Sequence, residues 1–400
     1  MIELVSRNKL YYYISLILVA ISRSLPHSVL TVMFLDKGLR ISDIVVIQAM
    51  YSLAVLIFEV PSGVWSDIYS RKKMYIVSSV LLIVVFLSAI YVNNFYILSM
   101  VWFIYGLSDA INSGTIEAQI LSDIKESSLS EANKEKEINR FIKYSSQFTL
   151  ISIIIGSSLG SYLFFLVNSY FYFFSIGLCV ISSILISLLF KESSYAVGRK
   201  KGQTSLFKTH FKLSLSELRK SPELRMLFIL SIIGQIFFQT HYQLWQSLFL
   251  EKNWSEDKLY VLYVIFQVLG FISYMVSIES IKKYKNKLFI VVLGTLLIIF
   301  LISNNNKYIV LGCYLFIVFV FTVLDYVLTT LFANKVSSKN ISSIFSMKSS
   351  LSRVSAVVVL ILSSYFLKSI STSELVIINF GLAFIASILV IWFSEKSRVK

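Results

Sequence analysis

The sequence predicts an all-α polytopic membrane protein, with twelve transmembrane helices in two pseudo-symmetric six-helix bundles. Three observations lead there. Hydrophobic residues make up 56% of the 400 and charged residues only 15%, whereas ordinary soluble domains carry ~25% charge. Twelve apolar runs follow one another at the spacing required by spans of roughly 20 residues. Lys and Arg also alternate in abundance from loop to loop. With the N-terminus placed inside, the inner segments hold 29 of the 37 Lys and Arg and the outer segments hold 6. The other two, Arg23 and Arg353, fall within spans. This bias predicts an even number of spans in the plasma membrane with both termini cytoplasmic. It also accounts for the net charge of +15 as a topology signal and an attraction to the anionic inner leaflet. A nucleic-acid partner is not expected, because the charges are scattered over short loops.

In chain order, spans are expected at 10–34, 43–65, 74–92, 95–120, 141–167 and 170–190, then at 226–249, 258–280, 288–303, 308–332, 344–367 and 374–393. The first run is too long for a cleavable signal and is expected to serve as an uncleaved anchor. Pro26 is expected to kink it. In span five, Gly156 and Gly160 have small-xxx-small spacing, which permits close helix approach. The longest polar segment, 191–225, divides the chain into a first bundle (1–190) and a second (226–400). Within it Phe207, Phe211, Leu215 and Leu218 alternate with Lys and Arg, the pattern of a linker helix lying on the membrane surface. Span seven carries Gln235, Gln239, Gln243 and Gln246 on one face, with His241 nearby, which reads as a cavity-lining stripe. Cys179 and Cys313 both lie in apolar runs, so neither a disulfide framework nor a metal site is expected.

The junction of spans two and three reads Glu59-Val-Pro-Ser-Gly63-Val-Trp-Ser-Asp67-Ile-Tyr-Ser-Arg71-Lys72-Lys73. If the stretch is helical, Asp67 and Arg71 share a face and can pair. It resembles the Gly-x-x-x-Asp-x-x-x-Arg-Arg/Lys loop signature of the major facilitator superfamily of secondary transporters. Glu59, Pro61 and Ser62 resemble its drug-efflux branch, as does Ser113-Gly-Thr-Ile-Glu-Ala118 in span four. The resemblance implies two rocking bundles around a central cavity lined by spans one, four, seven and ten. It gives Gly63, Asp67, Arg71 and Lys72 a gating role, with Asp67 helping to latch the halves near the start of span eleven, close to Ser342, Ser343 and Ser346. Span five lacks the Pro of the antiporter motif, and span four lacks its Arg. A fainter echo of the loop, Glu279 and Lys283, follows span eight and supports two repeated halves.

Charged or titratable groups inside a bilayer cost about 2.5–3.5 kcal/mol each and need a reason to be there. The candidates are Arg23, His27, Glu59, Asp109, Glu117, His241, Asp325 and Arg353. With Gln239 and Gln243 they form the expected proton and substrate cavity. Asp109 and Asp325 lie deepest. Each reads equally well as a proton carrier or as a fixed partner of Arg23 or Arg353. For Glu117, His27 and His241 the structural role is the more economical reading.

These features favour a secondary carrier: proton-coupled efflux of a small amphipathic compound, or uptake of a small metabolite. No cofactor is implied, and a monomer is expected. No phosphate loop of the Gly-x-x-x-x-Gly-Lys-Ser/Thr type occurs, which disfavours an ATP-driven pump. A membrane enzyme would call for His, Asp or Glu clustered at one membrane face, and three histidines supply little of that. A non-transporting sensor on the same fold is the remaining class.

Overall fold

A computed structural model describes residues 2–113, 115–127, 130–192, 221–273, 275, 294–335 and 341–398. The amphipathic linker segment and the Glu279–Lys283 echo lie outside these residues. Among the described residues all regular structure is helical. The chain divides into two compact units, residues 1–200 and 201–400.

In the first unit, α1 (Ile2–Ser24) passes through a 3-10 turn (Leu25–Ser28) into α2 (Leu30–Asp36). Then come α3 (Ile41–Ile68), α4 (Arg71–Tyr91), α5 (Phe95–Ser113), α6 (Ile116–Lys125), α7 (Glu131–Val167) and α8 (Tyr172–Leu189). Pro26 sits at the start of the 3-10 turn, where its missing N–H costs least, and the first span bends there by 58°. In the fourth span, expected as a run over 95–120, α5 stops at Ser113 and α6 starts at Ile116, and together Phe95–Lys125 make one stretch long and apolar enough to cross a membrane. Helix α1 packs on α7 and α8, α3 on α5, and α4 on α5 and α8.

The second unit comprises α9 (Pro222–Glu251), α10 (Leu259–Ser273), α11 (Gly294–Ser303), α12 (Lys307–Lys335), α13 (Ile341–Phe366) and α14 (Thr372–Arg398). Ser221 accepts from Leu224 N and Pro222 opens α9, the start signals expected of a helix. Part of its pairing repeats that of the first unit, with α9 packed on α13 and α14 and α10 on α12, while α9 also packs on α12. Among the described residues a helix covers at least part of each of the twelve expected spans, the first and fourth as two helices. Eight stretches of the described residues are long and apolar enough to cross a membrane, and nine if the bent first span is included.

A second repeat is written in the sequence. Phe34-Leu-Asp-Lys-Gly-Leu39 after the first span matches Phe249-Leu-Glu-Lys-Asn-Trp254 after the seventh. Both close their helix in one way. Gly38 (φ 80°) and Asn253 (φ 59°) take left-handed backbone. Leu39 N then bonds Phe34 O at 3.1 Å, and Trp254 N bonds Phe249 O at 3.0 Å, a Schellman-type ending. The lysine in each repeat reaches a neighbouring helix end. Lys37 Nζ donates to Ile90 O, Val92 O and Asn93 Oδ1 at 3.0–3.2 Å. Lys252 Nζ donates to Asn304 O at 3.2 Å. A cation at a helix C-terminus answers both the orphan carbonyls and the dipole.

The glycines of α7 do what their spacing predicts. A Cβ at Gly156 or Gly160 would overlap Ser24 Oγ or the Leu25 carbonyl. Ser28 Oγ donates to Ser157 O at 2.6 Å, and Ser24 Oγ to Ser152 O at 3.2 Å. The broken part of the first span is thus seated directly on the α7 main chain.

Candidate functional site

The first span presents one stripe, Tyr12, Ser15, Val19 and Arg23 on α1 and His27 in the 3-10 turn, at spacings of three or four residues, and this stripe forms a wall of a 320 Å³ cavity. The stripe falls on one helix face. The opposite walls come from Tyr51 (α3), Tyr75 (α4), Tyr105 and Asn112 (α5), Glu117 (α6) and Thr149 (α7).

Arg23 and Asp109 form an ion pair through Nη1 and Oδ1. Their side chains are 17% and 30% exposed. Tyr51 Oη donates to the other carboxylate oxygen, Oδ2, at 2.7 Å. The Arg23 guanidinium also lies 5.9 Å from the Tyr105 ring centre, within cation–π range. Arg23 Nε is buried and has no acceptor among the described residues. Asp109 thus anchors two cavity-lining side chains from helices α1 and α3, and one carboxylate ties three helices together. At the other end of the cavity, Tyr12 Oη donates to Glu117 Oε2 at 3.2 Å. Glu117 is otherwise exposed. Ser15, Tyr75 and Ser182 close a buried hydroxyl triangle with sides of 2.6–2.7 Å. Sequence reasoning missed the four tyrosines. Their signal was position on spans that carry a buried charge, but it was diluted among 23 tyrosines and 32 phenylalanines.

The gating stretch is organised differently from the expectation. Helix α3 ends at Ile68, and Tyr69 and Ser70 are extended before α4 begins at Arg71. Asp67 and Arg71 therefore lie on different helices, and the one-face argument for their pairing does not apply. The surroundings of Gly63 and the side chain of Asp67 are not among what the structure describes. Arg71 Nη1 donates to Gln119 Oε1 at 3.5 Å, and Gln119 Nε2 donates to Asp123 Oδ1 at 2.7 Å. Lys72 Nζ donates to Phe190 O at 2.8 Å and its N–H to Glu192 Oε1 at 3.0 Å. Ser70 Oγ accepts from Lys73 N as the cap of α4 and donates to Glu192 Oε2 at 2.6 Å. The basic end of the motif thereby joins α4 to α6 and to the end of α8. Glu59 is half-buried on α3, one turn before Ser62, whose Oγ donates to Ala110 O at 2.8 Å.

In the second unit the surroundings of His241 are those of the structural role rather than of the cavity lining. It is buried, 6% exposed, and its Nδ1 is 2.9 Å from Tyr314 Oη. Phe237, Phe266 and Tyr314 surround its ring at 5.0–6.3 Å between centres. Helical periodicity could not separate a core-facing histidine from a cavity-facing one. Gln239 Nε2 donates to Gln235 Oε1 at 3.4 Å along the same helix, and Gln243 is half-buried. Asp325 on α12 interacts electrostatically with Lys348 on α13. Lys348 Nζ bonds Thr329 Oγ1 at 3.3 Å and lies 5.2 Å from the Phe332 ring centre. Lys348 falls near the start of the expected span 344–367 but is not among the candidate residues read from the sequence. Arg353 is half-buried one turn further along α13. No group of three or more His, Cys, Asp and Glu suited to a metal occurs among the described residues.

Residues 12–324 match the family model described as Major Facilitator Superfamily. An uncharacterised MFS-type transporter of Bacillus subtilis (strain 168), YxaM, is 23% identical over 259 residues, 62% of this chain and 60% of YxaM. The matched part thus spans less than two thirds of that relative's length. Among solved structures, a mutant form of the nucleoside transporter NupG is similar at TM-score 0.76 and 15% identity, with 96% of this chain and 99% of that one covered. A bacterial homologue of the human lysosomal transporter Spinster, in an inward-facing and unoccupied conformation, is similar at TM-score 0.70 and 9% identity, covering 98% of this chain and 95% of that one. Apolar helices long enough to cross a membrane, two compact helical units and the family match over residues 12–324 lead to one conclusion: this chain belongs to the Major Facilitator Superfamily.

Proposed function

We propose that this chain is a proton-coupled secondary transporter of the plasma membrane. It works as a monomer by alternating access, has both termini cytoplasmic, and exports a small amphipathic compound. The observation that carries this reading is the Asp109 carboxylate, bound to Arg23 and Tyr51 behind a 320 Å³ cavity lined by tyrosines. Protonating Asp109 would remove the charge that holds Arg23, and would so alter the donors offered to a substrate. Substrate binding and proton binding would then compete through one side chain, which is what coupling requires. Asp325, with Lys348 within electrostatic reach, is the second candidate carrier.

The direction of export rests on the resemblance of the Glu59–Gly63 stretch to efflux transporters. A second reading, uptake of a small polar metabolite, is supported by the cavity lining of tyrosine hydroxyls and Asn112, which suits hydroxyl-bearing or planar solutes. The fold neighbour NupG is named as a nucleoside transporter, so nucleosides belong in the substrate panel.

The test is flux into proteoliposomes under an imposed pH gradient, with a panel of amphipathic cations, weak acids and nucleosides. We expect accumulation driven by the gradient. Asp109→Asn should keep counterflow exchange and lose that drive. Gradient-driven flux unchanged in Asp109→Asn would remove this residue from coupling.

A further inference from the structure

A second cavity, 610 Å³ in volume, opens between α1 and α7 at the end of the unit where the chain begins. The transport reading makes no use of it. Lys9 and Tyr13 line it from α1, and Lys136, Glu137, Arg140 and Tyr144 from α7. Three cations face one carboxylate. Lys9 Nζ bonds Glu137 Oε2 at 2.6 Å, and Arg140 Nη1 lies 3.9 Å from Glu137 Oε1. Among the described lining residues Glu137 is the one carboxylate, and it offsets one of the three charges. Arg140 is 62% exposed, and Lys136 is exposed as well.

The two helices are graded in the same way with depth. Each places an aromatic residue one turn beyond its cation, Tyr13 after Lys9 and Tyr144 after Arg140. The Arg140 guanidinium is 5.9 Å from the Tyr144 ring centre. Tyr13, Phe141, Tyr144 and Phe148 form a continuous cluster with ring centres 5.2–6.4 Å apart. Beside them, Leu10 and Ile14 are 57% and 38% exposed. Leu10 directly follows Lys9 and Ile14 directly follows Tyr13, so exposed aliphatic side chains run beside both the cation and the ring, as where a bilayer's charged headgroups meet its interface.

We propose that this groove binds the headgroup of an anionic phospholipid, with Lys136 and Arg140 on the phosphate and the acyl chains along Leu10 and Ile14. A soluble phosphate ester would satisfy the cations but would have no use for the exposed aliphatic track. A zwitterionic lipid would bring its own cation and leave the excess charge unanswered. A headgroup of net negative charge satisfies both ends of the groove.

The test is native mass spectrometry of the full chain in detergent, titrated separately with phosphatidylglycerol, phosphatidylcholine of the same acyl chains, and glycerol phosphate. We expect phosphatidylglycerol to bind at least tenfold more tightly than phosphatidylcholine, and glycerol phosphate not to compete at equal concentration. Each cation near an anionic headgroup is worth about a fivefold change in affinity. The pair Lys136→Gln with Arg140→Gln should therefore weaken phosphatidylglycerol about 25-fold. The exposed pair Lys258→Gln with Lys368→Gln should leave it unchanged. Arg140→Lys, which keeps the charge, should retain most of the binding and so distinguishes lost charge from lost fold. Equal binding of the two lipids, full competition by glycerol phosphate, or equal losses in both double variants would each overturn the assignment.

Discussion

Replacing Asp109 with Asn removes the charge opposite Arg23 and keeps an oxygen able to accept from Tyr51. Two unit charges in contact at about 4 Å interact by ~4 kcal/mol at an effective dielectric of about 20. The two side chains retain 17% and 30% exposure, so solvent screening lowers this to about 2–3 kcal/mol. For a unit of 200 residues, each kcal/mol corresponds to about 2–4 °C. Asp109→Asn should therefore lower the unfolding midpoint of the purified protein by about 4–12 °C. Arg23→Gln should cost a similar amount, because it leaves the carboxylate without its cation. The double variant should be no worse than either single one, since the second change removes a group already stranded. Thermal unfolding of all four proteins in one detergent gives the cycle, with an expected coupling of about 2 kcal/mol. Additivity within about 0.5 kcal/mol would mean that the two groups do not act as a pair, and the reasoning built on their contact would fail.

Other substitutions test other parts of the molecule. Gly160→Ala drives a methyl group into the Leu25 carbonyl and should cost about 2–3 kcal/mol in thermal stability. Gly177→Ala, with nothing within 4 Å, should gain about 0.5–1 kcal/mol by relieving a helical glycine. Lys37→Met removes the cation shared by three acceptors at the end of α4 and should cost about 1–2 kcal/mol. Hydrogen exchange at Tyr91–Asn93 should rise selectively in that variant. Tyr314→Phe leaves the His241 ring without its 2.9 Å partner and should lower stability by about 1–2 kcal/mol. The pH dependence of transport should stay unchanged in Tyr314→Phe, because His241 is enclosed by aromatic rings.

The membrane made the architecture legible. A span must be long and apolar whatever it packs against, so the helices could be counted from hydropathy alone. Arg23, Asp109 and Asp325 were legible for the complementary reason: a charge in lipid stands out. The pairing of Asp109 with Arg23 was among the readings the sequence offered, but their further partners were not legible. Tyr51 lies on another helix from Asp109 and resembles many other tyrosines, and nothing in its neighbours marks it. Lys348 was lost because basic residues near a span boundary look like loop residues. The Gln235–Gln246 stripe and His241 show a further limit. Polar spacing reveals a face, but not whether that face meets a cavity or a core. The Asp67–Arg71 spacing did not reveal that α3 and α4 are separate helices, because a break between them cannot be inferred from four-residue periodicity.

The seating of the broken first span on Gly156 and Gly160 has a mechanical consequence. Where main chain touches main chain, no side chain is available to change rotamer and absorb a slide. That seam should therefore behave as a weld, and α1 and α7 should travel together through a transport cycle. Rearrangement inside the first unit is then left to the interrupted fourth span, where α5 gives way to α6 beside the cavity. Spin labels on Tyr162 and Leu30 should keep one separation in every state of the cycle, while labels on Met100 and Ser122 should not.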